Sequence, residues 1–353
     1  MAWTQLSIRK SLLGDVFDFV KESGFSSAAA AEVVTDLVFN LAEYREEGVS
    51  LFPSVFLIDG PSETKVLASL APGCERILLG KSPVKDCAAK CLKDSAPLAE
   101  RGWAIFLSLD DTEARYGLFR AFQLPISVSA SESLIGRELE AGPVILVRNC
   151  ASKCVEIADG TGQHLELSLT PAAPSSQAVS THLTLLAQSI VSDVPKEERA
   201  ALEGYFARIL TESIRSSHGS LIAVVKAELA RLPDEFVEFV GLDTPLGFRD
   251  SFQSLVSSGE AAALSQLQAR ETLLRGMIAS DGVTIMGTDA TMRAFRLFLR
   301  PTKEESEAMV KSAVRGGGRT RAFEVLKARL GSPFVAAFFR SQDGRTEFVS
   351  VAK

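Results

Sequence analysis

The feature that most constrains this chain is a segment near its middle. Residues 169–181 have the sequence LTPAAPSSQAVST, in which proline, alanine and serine replace the apolar periodicity of the flanking regions. Such a composition is typical of a linker. It divides the 353 residues into two parts, each long enough to bury a core of its own. We therefore predict a first domain at 1–169, a linker at 170–183 and a second domain at 184–353.

The composition is that of a folded globular protein without a strong charge bias. Hydrophobic residues make up 46% of the chain and charged residues 23%, which excludes a wholly disordered protein. The formal net charge of -6 provides no general basic surface, so nucleic acid is not expected as a partner. No run of about 18 uncharged apolar residues occurs, and the start MAWTQLSIRKSLLGDVFDF lacks the apolar stretch of a signal peptide. We expect a cytoplasmic protein with no membrane partner.

The first domain is predicted to be α/β. Apolar runs at 54–59, 103–109 and 143–149 have the length and composition of strands, and they alternate with helical patterns at 26–44 and 84–100. We find no glycine-rich phosphate loop, nucleophile elbow or metal-ligand cluster in this part of the sequence. The first domain is therefore predicted as a fold of unknown role.

The five cysteines are expected to be reduced, because an odd number in so long a chain does not match a secreted disulfide scaffold. Four of them form two pairs of equal spacing, Cys87 with Cys91 in CAAKC and Cys150 with Cys154 in CASKC. Two such pairs supply enough thiolates for a zinc site. The alternative is that they are small buried hydrophobes, which the helical context of CAAKC favours. The histidines match no metal motif and are expected to be ordinary polar residues: His164, His182 and His218.

The second domain is also predicted to be α/β, with a mixed sheet and flanking helices. A long amphipathic helix follows Pro195, and the segment SLIAVV then predicts a strand buried on both faces. A further helix leads into SDGVTIMG, where Asp281 and Gly282 are predicted to form a turn before a strand at 283–286. Another strand is predicted near MRAFRLFL.

The end of the second domain has clear start and stop signals. Thr302 and Glu305 have the spacing of a capping box at the start of a helix. That helix is followed by three glycines and then by an apolar helical pattern that Gly331 is predicted to end. The dipeptide Asp343-Gly344 predicts a closing hairpin.

The segment RGGGRTR between these helices has the chemistry of an anion site. Gly316, Gly317 and Gly318 allow a ligand to approach the backbone, and the start of the next helix presents unpaired amides and a positive dipole end. Arg319 and Arg321 add planar donors that suit phosphate oxygens. No Lys-Ser/Thr follows the glycines, so the segment is not a P-loop. The alternative is a flexible surface loop with solvated arginines.

Asp281 is the candidate carboxylate for such a site. It precedes Arg319 by 38 positions. In phosphoryl or nucleotidyl transfer a carboxylate holds a divalent metal or helps to activate a hydroxyl. The alternative interpretation of Asp281-Gly282 is a turn at the start of a strand.

Together these segments resemble the diadenylate cyclase (DAC) domain family, which joins two ATP molecules into cyclic di-AMP. The family hallmarks are Asp-Gly-Ala and, thirty to forty residues later, Gly-Thr-Arg-His-Arg. DGV at 281–283 and GGRTR at 317–321 correspond to them here. The resemblance extends over residues 195–350 through HGSLIAVV, LLRGMIASDGVTIM, FRLFLRPT and RAFEVLKARLGSPFVAAFFRSQDGRTEFV. Residues 116–149 resemble, more weakly, the first domain of bacterial proteins described as probable sensors built on the DAC fold.

The resemblance implies a role for each matching residue. Asp281 is expected to be catalytic, to bind Mg or Mn with ATP, and to lie near the attacking 3'-hydroxyl. The phosphates are expected to be held by Arg319 and Arg321, together with Gly282, Gly316, Gly317, Gly318 and Thr320. Each DAC domain holds one ATP, so the resemblance also implies a homodimer or higher oligomer.

The sequence departs from the family at three positions. Val283 replaces the alanine of the first motif, and Gly318 and Thr320 replace the threonine and histidine of the second. Contacts made only in the transition state affect turnover more than binding, so these changes are expected to lower the rate of synthesis more than the affinity for nucleotide. The sequence therefore predicts an adenine-nucleotide-binding protein, a sensor or regulator that recognises ATP or cyclic di-AMP. The alternatives are an active diadenylate cyclase that releases pyrophosphate, and a DAC-like fold with an empty site.

Overall fold

A computed structural model gives the fold of the chain. It describes residues 8–27, 29–73, 75–100, 102–121, 126, 130–135, 141–151, 153–169, 179–217, 219–229, 233, 236, 238–312, 316–342 and 344–351. The chain forms two compact units, Met1–Leu169 and Thr170–Lys353. Each unit is an α/β structure built on a mixed sheet.

The first unit has a seven-stranded sheet with the order β4-β6-β5-β3-β7-β8-β9, in which β3 and β5 are parallel and the other neighbours antiparallel. Its helices are α1 (Ile8–Glu22), α2 (Ala30–Leu41), α3 (Glu63–Leu70), α4 (Cys87–Ser95) and α5 (Ala130–Ile135). Its strands are β1 (Arg45–Glu46), β2 (Val49–Ser50), β3 (Ser54–Asp59), β4 (Arg76–Pro83), β5 (Trp103–Leu109), β6 (Glu113–Arg120), β7 (Val144–Ala151), β8 (Cys154–Asp159) and β9 (His164–Ser168). The short β1 and β2 pair separately.

The sheet of the first unit is covered on both faces because its central strands are apolar on both sides. Val55 and Leu57 of β3 pack in one core with α1, α2 and α4, whereas Phe56 and Ile58 pack in a second core with α3 and α5. Four successive buried residues in one strand are expected where helices cover both faces of a sheet. The three predicted strands are confirmed as β3, β5 and β7. The two predicted helices are confirmed as α2 and α4, and both helices are shorter than the predicted ranges.

The second unit has a six-stranded sheet with the order β11-β13-β12-β10-β14-β15, in which β10 and β12 are parallel and the other neighbours antiparallel. Its helices are α6 (Val179–Ile190), α7 (Lys196–Ser216), α8 (Arg249–Ser258), α9 (Ala261–Ala279), α10 (Lys303–Lys311) and α11 (Gly318–Ala328). Its strands are β10 (Ser220–Val225), β11 (Val240–Gly247), β12 (Val283–Gly287), β13 (Thr291–Leu297), β14 (Phe334–Arg340) and β15 (Thr346–Ser350).

Local sequence signals explain most boundaries in the second unit. The predicted capping box is confirmed at α10, where the Glu305 amide donates to Thr302 Oγ1 at 3.2 Å and the Thr302 amide donates to Glu305 Oε2 at 2.7 Å. Helix α11 ends at Ala328, before Gly331, and Gly331 instead takes a φ of +99° in the turn into β14. The hairpin of β14 and β15 is formed as predicted, although Asp343 lies outside the described residues.

One predicted boundary is wrong. The linker was predicted to extend to residue 183, but α6 begins at Val179 and belongs to the second unit. Its buried residues recur at helical spacing: Val179, His182, Leu183, Leu186, Ala187 and Ile190. The Pro- and Ser-rich composition upstream obscured the start of this pattern, and residues 170–178 of the predicted linker lie outside the described part.

Among the described residues, no helix combines the length and the apolar character needed to span a membrane.

Candidate functional site

Asp281 lies in the short connection between α9 and β12. The Ser280 amide donates to the carbonyls of Gly276 and Met277 at 3.1 and 3.2 Å, which closes the end of α9. The Thr284 hydroxyl on β12 donates to the Met277 carbonyl at 3.0 Å and so ties the strand to the helix end. The Asp281 side chain is 72% exposed. Its backbone is therefore held on both sides while its carboxylate faces solvent.

Gly282 allows the start of β12 to pack against the end of β13. Its φ is +91°, and a Cβ atom at this position would lie 2.9 Å from the Cα atom of Arg296. Side chains disfavour this region of φ, and such a contact is too short for a real Cβ. Gly282 therefore has a structural role beside the carboxylate.

We expect Gly282→Ala to destabilise the second unit by roughly 1–3 kcal/mol, because it combines backbone strain with a steric clash. The matched control is Gly276→Ala in α9, where a Cβ atom would have no neighbour within 4 Å. That change is expected to stabilise the helix by about 0.5–1 kcal/mol. Urea unfolding of the two variants would measure both effects, and equal stabilities would contradict the assignment of Gly282 to a close backbone contact.

The three glycines of the RGGGRTR segment have different roles. Gly316 has a φ of +149°, and a Cβ atom there would lie 2.6 Å from Thr320 Oγ1, so this glycine packs against the first turn of α11. Gly317 is the N-cap of α11, and its carbonyl accepts the Arg321 amide at 3.2 Å. Gly318 is the first helical residue. A Cβ atom on Gly317 or Gly318 would meet nothing within 4 Å, so the backbone here is open to a ligand.

The start of α11 is an open helix N-terminus, at the place where the sequence analysis predicts an anion site. The N-cap residue, Gly317, has no side chain that could cap the helix, and the first turn contains no acidic residue. The first amides of a helix have no intrahelical acceptor, and the helix dipole places partial positive charge at this end.

Arg319 brings the start of α11 to Asp281. Arg319 Nη2 donates to Asp281 Oδ1 at 3.0 Å, across 38 residues of sequence. A Cβ atom on Gly219, directly before β10, would lie 3.2 Å from Arg319 Nη1 and 3.1 Å from the Arg340 carbonyl oxygen. The starts of β10, β12 and α11 therefore meet at one edge of the sheet. Sequence analysis did not assign Gly219 to the site, although the glycine before SLIAVV was a visible signal.

Arg321 is not joined to this pair. Its side chain is exposed, and within the described part of the chain it forms no ion pair with Asp281. Residues two apart on a helix point to different sides, which explains why Arg319 and Arg321 do not converge. The structure thus brings together Asp281, Gly282, Arg319 and the three glycines, and places Arg321 at the periphery.

The Asp281–Arg319 ion pair is exposed enough to open at low cost. The Arg319 side chain is 34% exposed and that of Asp281 is 72% exposed. Exposed pairs contribute about 0–1 kcal/mol. An anion that binds the guanidinium and a cation that binds the carboxylate would each replace one half of the pair.

The cysteines and histidines occupy other places. Cys87 and Cys91 lie buried on α4, whereas Cys150 and Cys154 lie at the β7–β8 hairpin with their Sγ atoms 3.2 Å apart. The metal-ligand cluster found among the described residues adds Glu166 to the second pair and does not include the first, so the four thiols do not form one zinc site. His182 is buried against Thr346, His164 lies 3.4 Å from Glu156, and His218 is outside the described residues.

Comparisons with protein-family models, with curated proteins and with solved structures find no match to this chain. The functional assignment therefore depends on the geometry at the starts of β10, β12 and α11. We call this group of residues the edge site: Gly219, Asp281, Gly282, Gly316, Gly317, Gly318, Arg319, Thr320 and Arg321.

Proposed function

We propose that the edge site binds an adenine nucleotide, ATP or cyclic di-AMP, and that the protein is a cytoplasmic nucleotide sensor or regulator. The observation that carries the proposal is the contact between Asp281 and Arg319 at the uncapped start of α11. A carboxylate for a metal ion and a guanidinium for phosphate lie side by side, next to open glycine backbone.

The phosphates would be recognised by groups of three kinds. The first amides of α11 donate along the helix axis, and the open backbone at Gly317 and Gly318 allows close approach. The Arg319 guanidinium is suited to two phosphate oxygens at once. Arg321 adds positive charge from the neighbouring side of the helix. This arrangement favours a ligand with more than one phosphate group over a single small anion, because its donors are spread along the helix end.

Asp281 fits a divalent metal of the Mg²⁺ or Mn²⁺ class. Mg²⁺ keeps several waters and binds through one or two carboxylates together with substrate phosphates. A single exposed carboxylate beside a phosphate site matches that requirement, whereas a metal site made only of protein ligands would need more oxygen donors. The metal would neutralise phosphate charge and draw Asp281 away from Arg319.

The alternative function is an active diadenylate cyclase, which the retained contact between Asp281 and Arg319 favours. Ring closure would require two edge sites facing one another, and therefore a homodimer. The position of Thr320 favours the sensor. Its hydroxyl packs against Gly316, and Gly318 has no side chain, so neither residue supplies the imidazole or hydroxyl of the DAC motif.

The first experiment is to incubate the full chain with ATP and either Mg²⁺ or Mn²⁺, to identify products by mass spectrometry and to follow the melting temperature of the same samples. A sensor is expected to show a nucleotide-dependent rise in melting temperature without product. Cyclic di-AMP that disappears in Asp281→Asn would establish the cyclase instead. If the protein forms no product and binds neither ATP nor cyclic di-AMP, both functions are contradicted.

Arg319→Ala and Arg321→Ala are expected to weaken ATP binding unequally. Arg319 lies at the centre of the proposed phosphate site, so its loss should raise the Kd by about tenfold to a hundredfold, as for a charge-assisted hydrogen bond of 1.5–3 kcal/mol. Arg321 lies at the periphery, and its loss should have a smaller effect that disappears at high salt. Calorimetric titrations at two salt concentrations would compare them. A larger loss for Arg321→Ala would mean that the nucleotide lies on the other side of α11.

A further inference from the structure

A second cluster of polar side chains lies at the β7–β8 hairpin of the first unit. Strands β7 and β8 pair with a register shift between Asn149 and Ala151, so Cys150 is the extra residue of a β-bulge. A bulge bends its strand and changes the direction of a side chain. Here the Cys150 Sγ atom lies 3.2 Å from the Cys154 Sγ atom, across the hairpin.

The third member of the cluster comes from the next strand. Cys154 pairs with Ser168 of β9, and Glu166 lies two residues before Ser168 on the same face of the sheet. The Cys154 Sγ atom lies 3.3 Å from Glu166 Oε1. The three strands β7, β8 and β9 therefore each contribute one ligand atom, and the three atoms lie within 4.8 Å of one another.

These separations are close to those of a tetrahedral metal centre. With metal–sulfur bonds of about 2.3 Å and metal–oxygen bonds of about 2.0–2.2 Å, tetrahedral ligand atoms are separated by roughly 3.5–3.8 Å. The observed distances of 3.2 and 3.3 Å require only a few tenths of an ångström of adjustment to reach that range. All three ligands are held by paired strands, so the site is largely formed in advance.

A second acidic side chain lies beside the cluster. Glu166 pairs directly with Glu156 on the neighbouring strand, and like charges in this position repel one another. Glu156 has its own counter-charges, because Arg148 Nε lies 2.6 Å from its carboxylate and His164 lies 3.4 Å away. The Glu166 carboxylate is directed to Cys154.

We propose that Cys150, Cys154 and Glu166 form a binding site for one thiophilic divalent cation of the Zn²⁺ class. Two thiolates select a soft or borderline metal over Mg²⁺ and Ca²⁺, which prefer oxygen ligands only. The cysteines are buried and Glu166 is half-buried, so the Glu166 side is the route by which water enters and supplies the fourth ligand. This site belongs to the first unit and is independent of the nucleotide proposed for the second.

Cys87 and Cys91 provide a matched internal control. They have the same sequence spacing and are also buried, but they lie on α4 within the hydrophobic core of the first unit. Among the described residues, no third acidic or histidine ligand joins them in a metal-binding group. A cation that simply binds paired thiols would not distinguish the two pairs, whereas a cation that requires the three-strand geometry would.

The experiment uses the full chain, reduced and stripped of metal with a chelator. Zn²⁺ is titrated in competition with a chromophoric chelator, and Co²⁺ is used as a spectroscopic probe, because thiolate ligation gives a charge-transfer band that carboxylates alone do not. We expect one Zn²⁺ per chain and a Co²⁺ band from two thiolates. Cys150→Ser and Cys154→Ser should each weaken Zn²⁺ binding by more than about tenfold, while the double variant Cys87→Ser/Cys91→Ser should bind as the natural chain does.

Glu166→Gln keeps the size of the side chain and both thiols, so it tests the site even if a serine variant fails to fold. It is expected to weaken Zn²⁺ binding about tenfold or more and to shift the Co²⁺ spectrum without removing the thiolate band. Circular dichroism would confirm that each variant is folded. The proposal is overturned if the reduced natural chain binds no Zn²⁺, if Glu166→Gln leaves affinity and spectrum unchanged, or if loss of Cys87 and Cys91 abolishes binding in a folded protein.

Discussion

Asp281→Asn is expected to abolish any synthesis of cyclic di-AMP and to remove the dependence of ATP binding on Mg²⁺. An amide is a poor ligand for Mg²⁺ compared with a carboxylate, so the metal would lose its protein anchor. A metal ion contributes several kcal/mol of transition-state stabilisation in phosphoryl transfer, and each 1.4 kcal/mol is a factor of ten. Any turnover of the natural chain should therefore fall by roughly a thousandfold or more.

The same substitution should strengthen the binding of ATP in the absence of metal. In the natural chain Asp281 both occupies Arg319 and repels phosphate, since its Oδ1 atom lies 3.0 Å from Arg319 Nη2. Removing this charge releases the guanidinium. We expect metal-free ATP to bind severalfold more tightly to Asp281→Asn, in line with about 1 kcal/mol for an exposed pair.

Calorimetric titration of ATP with and without Mg²⁺ would measure both effects. Asp243→Asn is a suitable control, because Asp243 is an exposed aspartate on β11 and the charge of the protein changes by the same amount. The control should retain the response of the natural chain to Mg²⁺. If Asp281→Asn retains it as well, Asp281 is not the metal ligand and the proposed nucleotide site is wrong in its central feature.

The sequence predicted the parts of the edge site that depend on local signals. The Asp-Gly turn before β12 and the start of α11 after the glycines follow from turn and helix-cap chemistry. Which arginine meets Asp281 was not predictable in this way. It depends on the rotation of α11 about its axis, which is set by the packing of Phe323 and Leu326 in the core. Arg319 and Arg321 were therefore predicted as equals, and the structure separates them.

The cysteine pairs show a different limit of sequence analysis. Both have the spacing Cys-x-x-x-Cys, yet one lies on a helix and the other spans a β-bulge. The apolar run before Cys150 predicted a strand, and the alternation after Cys154 was a usable signal for a hairpin. Glu166 was not recognisable as a third ligand, because its position depends on the register of β9 against β8.

Arg340→Met is expected to lower the free energy of unfolding of the second unit by about 1.5–3 kcal/mol, the range for hydrogen bonds that involve a charged group. Arg340 is fully buried at the end of β14. Its Nη1 atom donates to the carbonyls of Ile214 and Ser217 at the end of α7, the latter at 3.1 Å. A guanidinium at this position adds a charged donor to two carbonyls at the end of the helix and complements the negative end of the helix dipole. Methionine fills similar space but cannot donate a hydrogen bond to those carbonyls.

Arg345→Met is the matched control for this second prediction. Arg345 lies in the same hairpin, but its side chain is 49% exposed and its partner Glu347 lies 2.8 Å away at the surface. Loss of an exposed pair should cost less than about 1 kcal/mol. Urea unfolding followed by hydrogen exchange at β10 and β14 would report on the second unit. Equal effects of the two substitutions would show that the buried guanidinium does not hold α7 against the sheet.

The position of Arg340 also connects stability with the edge site. Its carbonyl oxygen lies 3.1 Å from the position of a Cβ atom on Gly219, and Arg319 Nη1 lies 3.2 Å from the same position. The end of β14 thus packs against Gly219, beside which the Arg319 guanidinium lies. We expect Arg340→Met to weaken nucleotide binding in samples that remain folded, whereas Arg345→Met should leave it unchanged. Normal ATP affinity in a folded but destabilised Arg340→Met protein would mean that the edge site keeps its geometry without this anchor.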